Sequence, residues 1–159
     1  MSFLSWTVGQ YVLHQALFGA IAAAGFGVLF NFGARSLVWC AAMGALALAV
    51  RTTGQSAGWS LEASSFVAAL STSGVVYVVF PRLGAASNAI ALAGCIPMVP
   101  GAFFSQALLG FLALSAPDAH HADVTIVQSI QAMLHVFFTV GAIGAGLAIP
   151  SHMVRHDGF

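Results

Sequence analysis

The segment that decides the expected fold is Gly94-Cys95-Ile96-Pro97-Met98-Val99-Pro100-Gly101. It lies near the centre of a long apolar stretch, residues 85–114, at what should be mid-membrane depth. Each proline removes a backbone N–H and clashes with the preceding turn, so carbonyls one turn earlier lose their helical partners. Such groups are costly in hydrocarbon, so the break must face protein or a watery cavity. We therefore expect a helix broken at Pro97 and Pro100, as in the substrate sites of many transporters, with a kinked packing helix as the alternative.

The composition places the whole chain in a membrane. Hydrophobic residues make up 60% of its 159 residues and charged residues 5%, and the mean hydropathy is +0.97. Soluble domains carry about 25% charged residues, so we expect an all-α integral membrane protein. The length allows several spans of ~20 residues but no separate soluble domain. All four basic residues are arginines and form no basic patch, which argues against nucleic-acid binding.

Enzyme and cofactor motifs are not evident. No Ser/His/Asp order, glycine-rich phosphate loop or CxxC pair stands out, so we expect neither an enzyme nor a cofactor. Cys40 and Cys95 lie inside apolar segments and are expected to be small buried hydrophobes. The loop from Asp118 to Asp123 contains His120 and His121, but adjacent histidines in a short loop are a weak metal signal. We expect an exposed loop and no metal site.

Five apolar segments predict a single transmembrane domain with about five helices, at residues 11–32, 36–50, 61–80, 86–114 and 124–149. The second segment, with about fifteen residues, barely crosses ~30 Å of hydrocarbon, so it is expected to be short, interior or re-entrant, and four spans is the alternative. Pro81 and Pro150 are predicted to end the third and fifth helices. The first apolar run is too long for a signal-peptide core and is interpreted as a retained span.

Arginine placement predicts the orientation. With five spans, Arg35, Arg82 and Arg155 lie on one side, which the positive-inside rule makes cytoplasmic. The N-terminus is then outside and the C-terminus inside.

Small residues recur at four-residue spacing in two segments. They are Gly19, Ala23 and Gly27 in the first and Ala142 and Gly146 in the last. Such ladders let helices approach closely in lipid. Close packing within the subunit is the favoured interpretation, and a subunit interface or sliding surface is the alternative.

A polar stripe runs along one face of the last segment and consists of Gln128, Gln131, His135 and Thr139. Polar side chains are costly against lipid, so this face is expected to point inward. An interhelical hydrogen-bond seam and a substrate or proton pathway are both open. His135 is the favoured member, because its ordinary pKa of ~6.5 allows proton exchange near neutral pH. His14 and Glu62 are the other proton-coupling candidates, with hydrogen-bonded packing and a solvated carboxylate as their simpler interpretations.

Several of these motifs, in this order, resemble a known family. They are Phe30-Asn31 followed by Arg35, then Trp39-Cys40, Arg51 and the Ile96-Pro97-Met98-Val99-Pro100-Gly101 break. Together they resemble the small membrane subunit of split-type threonine/serine exporter (ThrE) family transporters, the YjjB type, over most of the chain.

The resemblance implies a secondary exporter of small hydrophilic metabolites in a bacterial inner membrane. Threonine, serine and short dicarboxylates are the implied substrates. The implied partner is a larger, YjjP-like subunit with a cytoplasmic region and its own membrane segments. A five-span chain with an outside N-terminus would suit an inverted repeat with that partner.

A substrate-site hypothesis follows from the resemblance and the break. The half-helix after Pro100 and Gly101 would direct its free N–H groups at a substrate carboxylate. Carbonyls in residues 95–98 would accept from an ammonium group or a water. Arg35 would draw anionic substrate from the cytoplasm, with lipid-headgroup anchoring as the alternative. The predicted substrate-binding residues are Asn31, Arg35, Pro97, Pro100, Gly101, Gln131 and His135.

Two other functions are weighed against the exporter. One is a haem- or quinone-binding anchor of a redox complex, with His14 and His135 as axial ligands, although their different depths argue against it. The other is a purely structural subunit whose partner carries the whole pathway.

Overall fold

The computed structural model of the chain describes residues 7–79, 85–114 and 122–155. The described residues form helices and no strands, which confirms the all-α prediction. The helices are α1 (Val8–Leu29), α2 (Ala34–Ser56), α3 (Leu61–Val79), α4 (Ala85–Cys95), α5 (Gly101–Leu114) and α6 (Ala122–Arg155), with a 3₁₀ turn at Ile96–Met98 between α4 and α5. By length and composition, α1, α2, α3 and a long part of α6 can each span a membrane. The bent pair of α4 and α5 is either a fifth, broken span or a re-entrant loop.

The predicted short second segment is wrong, because α2 has 23 residues. At 1.5 Å per residue it is ~35 Å long and can cross the bilayer. Along its polar end, hydroxyl groups bond to carbonyls of the preceding turn. Thr53 Oγ1 donates to the Ala49 carbonyl and Ser56 Oγ to the Thr52 carbonyl, both at 2.8 Å.

The predicted helix end at Pro150 is also wrong, because α6 continues to Arg155. The proline deprives the Gly146 carbonyl of its N–H donor, but this part of α6 packs tightly on α3. A Cβ at Gly146 would lie 2.7 Å from the Phe66 carbonyl oxygen, and Ser73 Oγ donates to the Leu147 carbonyl at 3.1 Å. These contacts hold α6 in place across the proline. Pro81 lies outside the described residues, as do Arg82 and the histidine pair of the 118–123 loop.

The chain divides into two compact units. The first contains the residues up to Met98 together with those from Ala142 onward, and the second is Val99–Gly141. In the first unit, α2 contacts α1, α3, α4 and the 3₁₀ turn and so forms the centre of the packing.

Glycines bring the backbones of the first unit into contact. A Cβ at Gly19 of α1 would lie 2.5 Å from the Gly44 carbonyl oxygen of α2, and one at Gly27 would lie 2.8 Å from a methyl carbon of Leu37. Ala23 is fully buried between them. Together with the Gly146 contact, this confirms that the small-residue ladders pack within the subunit. Cys40 and Cys95 are free and buried, as predicted.

The second unit is a helical hairpin of α5 and the first part of α6. Gly110 of α5 faces Ser129 of α6, and no room for a Cβ remains between them. At the other end of the hairpin, the rings of Phe103 and His135 lie 5.1 Å apart. The two pairs show that the helices run antiparallel.

Candidate functional site

The predicted break is present and lies between α4 and α5. Helix α4 ends at Cys95, the 3₁₀ turn covers Ile96–Met98, and α5 begins at Gly101. The Gly101 N–H donates to the Val99 carbonyl at 2.8 Å and the Phe104 N–H to the Pro100 carbonyl at 3.2 Å. Because a new helix starts here, its remaining first-turn amides have no acceptor within α5. Such amides are satisfied by side chains, water or a ligand.

An arginine side chain donates a hydrogen bond to one of the backbone carbonyls at the break. Arg51 Nη1 donates to the Met98 carbonyl at 2.7 Å, and Met98 is fully buried. This bond uses one of the two lone pairs of the Met98 carbonyl, and binding of an ammonium group by the carbonyls of residues 95–98 stays a prediction. In the sequence, Arg51 was named only among the residues that carry the family resemblance. The signal that could have found the contact is a charge inside an apolar helix, which must find a partner.

The polar stripe of α6 lines a cavity in the second unit. This cavity is open to the surface, has a volume of about 250 Å³ and is lined by Phe103, Gln106, Gln128, Gln131, Ala132 and His135. The three glutamines and His135 are exposed. Three of the four predicted stripe residues therefore face the same space. The fourth, Thr139, is fully buried, and its hydroxyl has no hydrogen-bond partner among the described residues.

The shape of the cavity follows from side-chain size along the hairpin. Ala107 and Ala132 are both buried and leave space where larger residues would fill it. Beyond them, the Gly110 and Ser129 contact brings the helices together and closes that end. Ser129 Oγ donates to the Thr125 carbonyl at 2.6 Å, so this hydroxyl satisfies its own helix.

Gln106 is a cavity residue that the sequence analysis missed. It lies one turn after Phe103 on α5 and lines the cavity with Gln128 and Gln131 of α6. The sequence did indicate it, because a glutamine inside an apolar segment is costly against lipid and is therefore expected to face protein or a cavity, like the polar stripe on α6.

The chemistry of the cavity is polar, and no arginine, lysine or carboxylate lines it among the residues that the structure describes. Each glutamine amide offers two N–H donors and a carbonyl acceptor, and an imidazole can donate, accept or carry a proton. The His135 ring lies against Phe103, the third residue of α5, at an interplanar angle of 33°. The lining can therefore bind groups of either charge by hydrogen bonds, beside the start of α5.

The structure brings some predicted site residues together and leaves others in the first unit. Pro100, Gly101, Gln131 and His135 all belong to the second unit, whereas Pro97 lies in the 3₁₀ turn of the first. Arg35 is the second residue of α2 and is exposed. Glu62 lies in the first turn of α3 and is half-buried.

Asn31 has a local structural role at the end of α1. Its φ of 58° is left-handed, a conformation that asparagine tolerates better than most residues. The Asn31 N–H donates to the Val28 carbonyl at 2.9 Å and the Phe32 N–H to the Gly27 carbonyl at 3.0 Å. This pattern is a Schellman motif. It explains the asparagine without a ligand, and substrate binding by Asn31 stays a prediction.

His14 lies on α1 at a separate groove of about 570 Å³, together with Val8, Tyr11, Gln15 and Ser56. The side chain is exposed, and its ring lies 4.7 Å from that of Phe18. Among the described residues, no three His, Cys, Asp or Glu side chains come together in a way that could hold a metal ion.

Residues 15–153 match the family model described as "Threonine/Serine exporter, ThrE". The chain belongs to the threonine/serine exporter (ThrE) family. The matched range contains Arg51, the break and every residue that lines the cavity of the second unit. The ThrE family is a family of multi-pass membrane transporters, and the match gives no support to a haem or quinone anchor. No solved structure matches the chain.

Proposed function

We propose that this chain is the small membrane subunit of a secondary threonine/serine-type exporter and that the cavity of the second unit is part of its substrate site. The observation that carries the proposal is the cavity itself, where three glutamines and His135 converge beside the first turn of α5. Its volume of about 250 Å³ is well above the ~30 Å³ that one water occupies in the liquid. Family membership and four to five membrane-spanning helices support the same function.

The lining favours amino acids over dicarboxylates. A substrate such as serine carries one carboxylate, one ammonium group and a hydroxyl, and uncharged amides can bond to all three. A dicarboxylate would need a second compensating positive charge, and the lining residues that the structure describes include no arginine or lysine. The first-turn amides of α5 would hold the carboxylate, because a helix N-terminus favours negative charge.

The remaining roles in the proposal follow the earlier expectations. His135 exchanges the coupling proton, with His14 and Glu62 as alternatives, and Arg35 attracts the substrate carboxylate at the cytoplasmic end of α2. The chain works in a bacterial inner membrane with a larger subunit that has a cytoplasmic region, and its N-terminus faces outward.

Transport in vesicles tests the cavity. Vesicles that carry this chain, with and without the larger partner, are assayed with radiolabelled serine, threonine and succinate. Gln131→Leu is expected to lower serine and threonine flux at least tenfold at equal membrane amounts, whereas the control Gln55→Leu, an exposed glutamine outside the cavity, leaves it unchanged. Full flux in Gln131→Leu would remove the cavity from the pathway. Succinate flux above serine flux would reverse the substrate assignment.

The proton role has its own test. His135→Gln keeps a hydrogen-bonding side chain of similar reach but does not titrate near neutral pH. We expect it to abolish the dependence of flux on an imposed pH gradient. A fully retained dependence would assign coupling to another group.

A further inference from the structure

Arg51 is a charged residue inside a membrane-spanning helix, and its side chain reaches the break. It lies in the last six residues of α2, and its Nη1 atom donates to the Met98 carbonyl, 47 positions further along the chain, at 2.7 Å. A guanidinium within a membrane-spanning helix is costly unless its donors are used. The contact therefore needs an explanation in terms of the break.

The Met98 carbonyl lacks a helical hydrogen-bond donor because the helix is broken directly after it. In a continuous helix it would accept from the N–H of residue 102, but the 3₁₀ turn ends at Met98 and α5 begins only at Gly101. The residue is fully buried, so water does not replace the lost donor. A charged donor gives a shorter and stronger hydrogen bond than a neutral one.

A second contact holds the same segment to α2. A Cβ at Gly94, one residue before the end of α4, would lie 2.7 Å from Met43 Cβ and 3.2 Å from the Gly44 nitrogen. The backbone on the N-terminal side of the break is thus packed directly on α2. Cys95, between the two contacts, is fully buried.

We propose that Arg51 is a positioning residue that fixes the conformation of the broken helix by holding the Met98 carbonyl against α2. Close packing at Gly94 holds the segment on one side of Cys95, and the guanidinium holds it on the other. Arginine suits this position because its planar group keeps its charge and carries five N–H donors. Its part in export rests on the proposed function, whereas its part in holding the break does not.

The two native cysteines report on the break without any transport assay. Cys95 lies beside the 3₁₀ turn, and Cys40 is equally buried elsewhere in the first unit, near Gly27. Alkylation by N-ethylmaleimide is measured in native membranes for each thiol alone, in Cys40→Ala and Cys95→Ala backgrounds. Both thiols are expected to be protected in the parent chain.

Removal of the guanidinium is expected to expose Cys95 alone. Arg51→Met should raise the alkylation rate of Cys95 at least tenfold and leave that of Cys40 unchanged, and Arg51→Lys should restore part of the protection. Arg35→Met, at the other end of the same helix and exposed, is the control and should change neither rate. Continued protection of Cys95 in Arg51→Met would overturn the proposal. A parallel rise at Cys40 would also overturn it, because it would show general loss of packing.

Transport kinetics separate positioning from substrate contact. If Arg51 acts through the break, Arg51→Met should lower the maximal rate of serine export and leave KM within twofold of the parent value. A raised KM at an unchanged maximal rate would make Arg51 a substrate-binding residue and refute the positioning role. If the parent chain exports neither serine nor threonine, the proposed function fails while the thiol experiment still decides the role of Arg51.

Discussion

Gly94 lies where α4 packs most closely on α2, so one added methyl group tests how tightly the broken helix is held. In Gly94→Ala the new Cβ would lie 2.7 Å from Met43 Cβ and 3.0 Å from the Met43 carbonyl carbon. Carbon atoms pack at ~3.5 Å or more, so the helices must separate locally by roughly 0.8 Å. Neither neighbouring atom can rotate away, because one belongs to the backbone and the other is attached directly to it.

Two opposing effects set the magnitude. Replacing glycine by alanine inside a helix gains about 1 kcal/mol of intrinsic helix stability, whereas overpacking costs about 1–3 kcal/mol. The matched control is Gly144→Ala in α6, where nothing lies within 4 Å of the added Cβ. The propensity gain is common to both variants, so Gly94→Ala is expected to be about 1–3 kcal/mol less stable than Gly144→Ala. This corresponds to a factor of roughly 5 to 150 in the unfolding equilibrium.

Unfolding in mixed micelles of sodium dodecyl sulfate and dodecyl maltoside, followed by far-ultraviolet circular dichroism, measures this difference. Gly144→Ala should match or exceed the parent chain in stability, and Gly94→Ala should fall below Gly144→Ala by the stated factor. Equal stability of the two variants would refute the close contact between α4 and α2. A destabilised Gly144→Ala would refute the assumption that the propensity gain is shared.

Three further changes test other parts of the structure. Ala132→Leu fills the cavity and is expected to lower serine flux at least tenfold, whereas Ala145→Leu at an exposed position of α6 should not. Equal serine flux in the two variants would show that the cavity is not part of the transport pathway. Asn31→Gly should keep the stability of the parent chain, whereas Asn31→Val should lose about 1–2 kcal/mol because a β-branched residue resists the left-handed φ of 58°. Thermal unfolding in detergent measures both variants. A loss of stability in Asn31→Gly would show that the asparagine side chain is itself required. Ser73→Ala removes the donor to the Leu147 carbonyl and should lower the free energy of unfolding by about 1 kcal/mol in the same measurement. An unchanged free energy of unfolding would show that this hydrogen bond does not stabilise the part of α6 that contains Pro150.

Two expectations that depended on local chemistry are confirmed by the structure. A proline has no N–H wherever it lies in a fold, so Pro97 and Pro100 predicted the interruption of the fourth span. Helical periodicity placed Gln128, Gln131 and His135 on one face, and all three line the same cavity. Each inference needed only the residues within a few turns of the chain.

The expectations that failed depended on partners distant in sequence. The predicted end of the last helix at Pro150 took no account of α3, whose contacts at Gly146 and Leu147 accompany the continuous helix. The short second span failed because the polar residues after Val50 were assumed to leave the helix, whereas they continue it to Ser56.

The sequence by itself determined that this is a helical membrane protein with a broken fourth span and a polar face on its last helix. The reason is that hydropathy, proline chemistry and helical period are local properties of the chain. Only the tertiary structure decided which donor the freed Met98 carbonyl receives and which residue of α5 completes the cavity. Arg51 lies 47 residues before its acceptor, and Gln106 faces the stripe only because α5 and α6 form an antiparallel hairpin. Such pairs are set by helix packing, which no local pattern in the chain specifies.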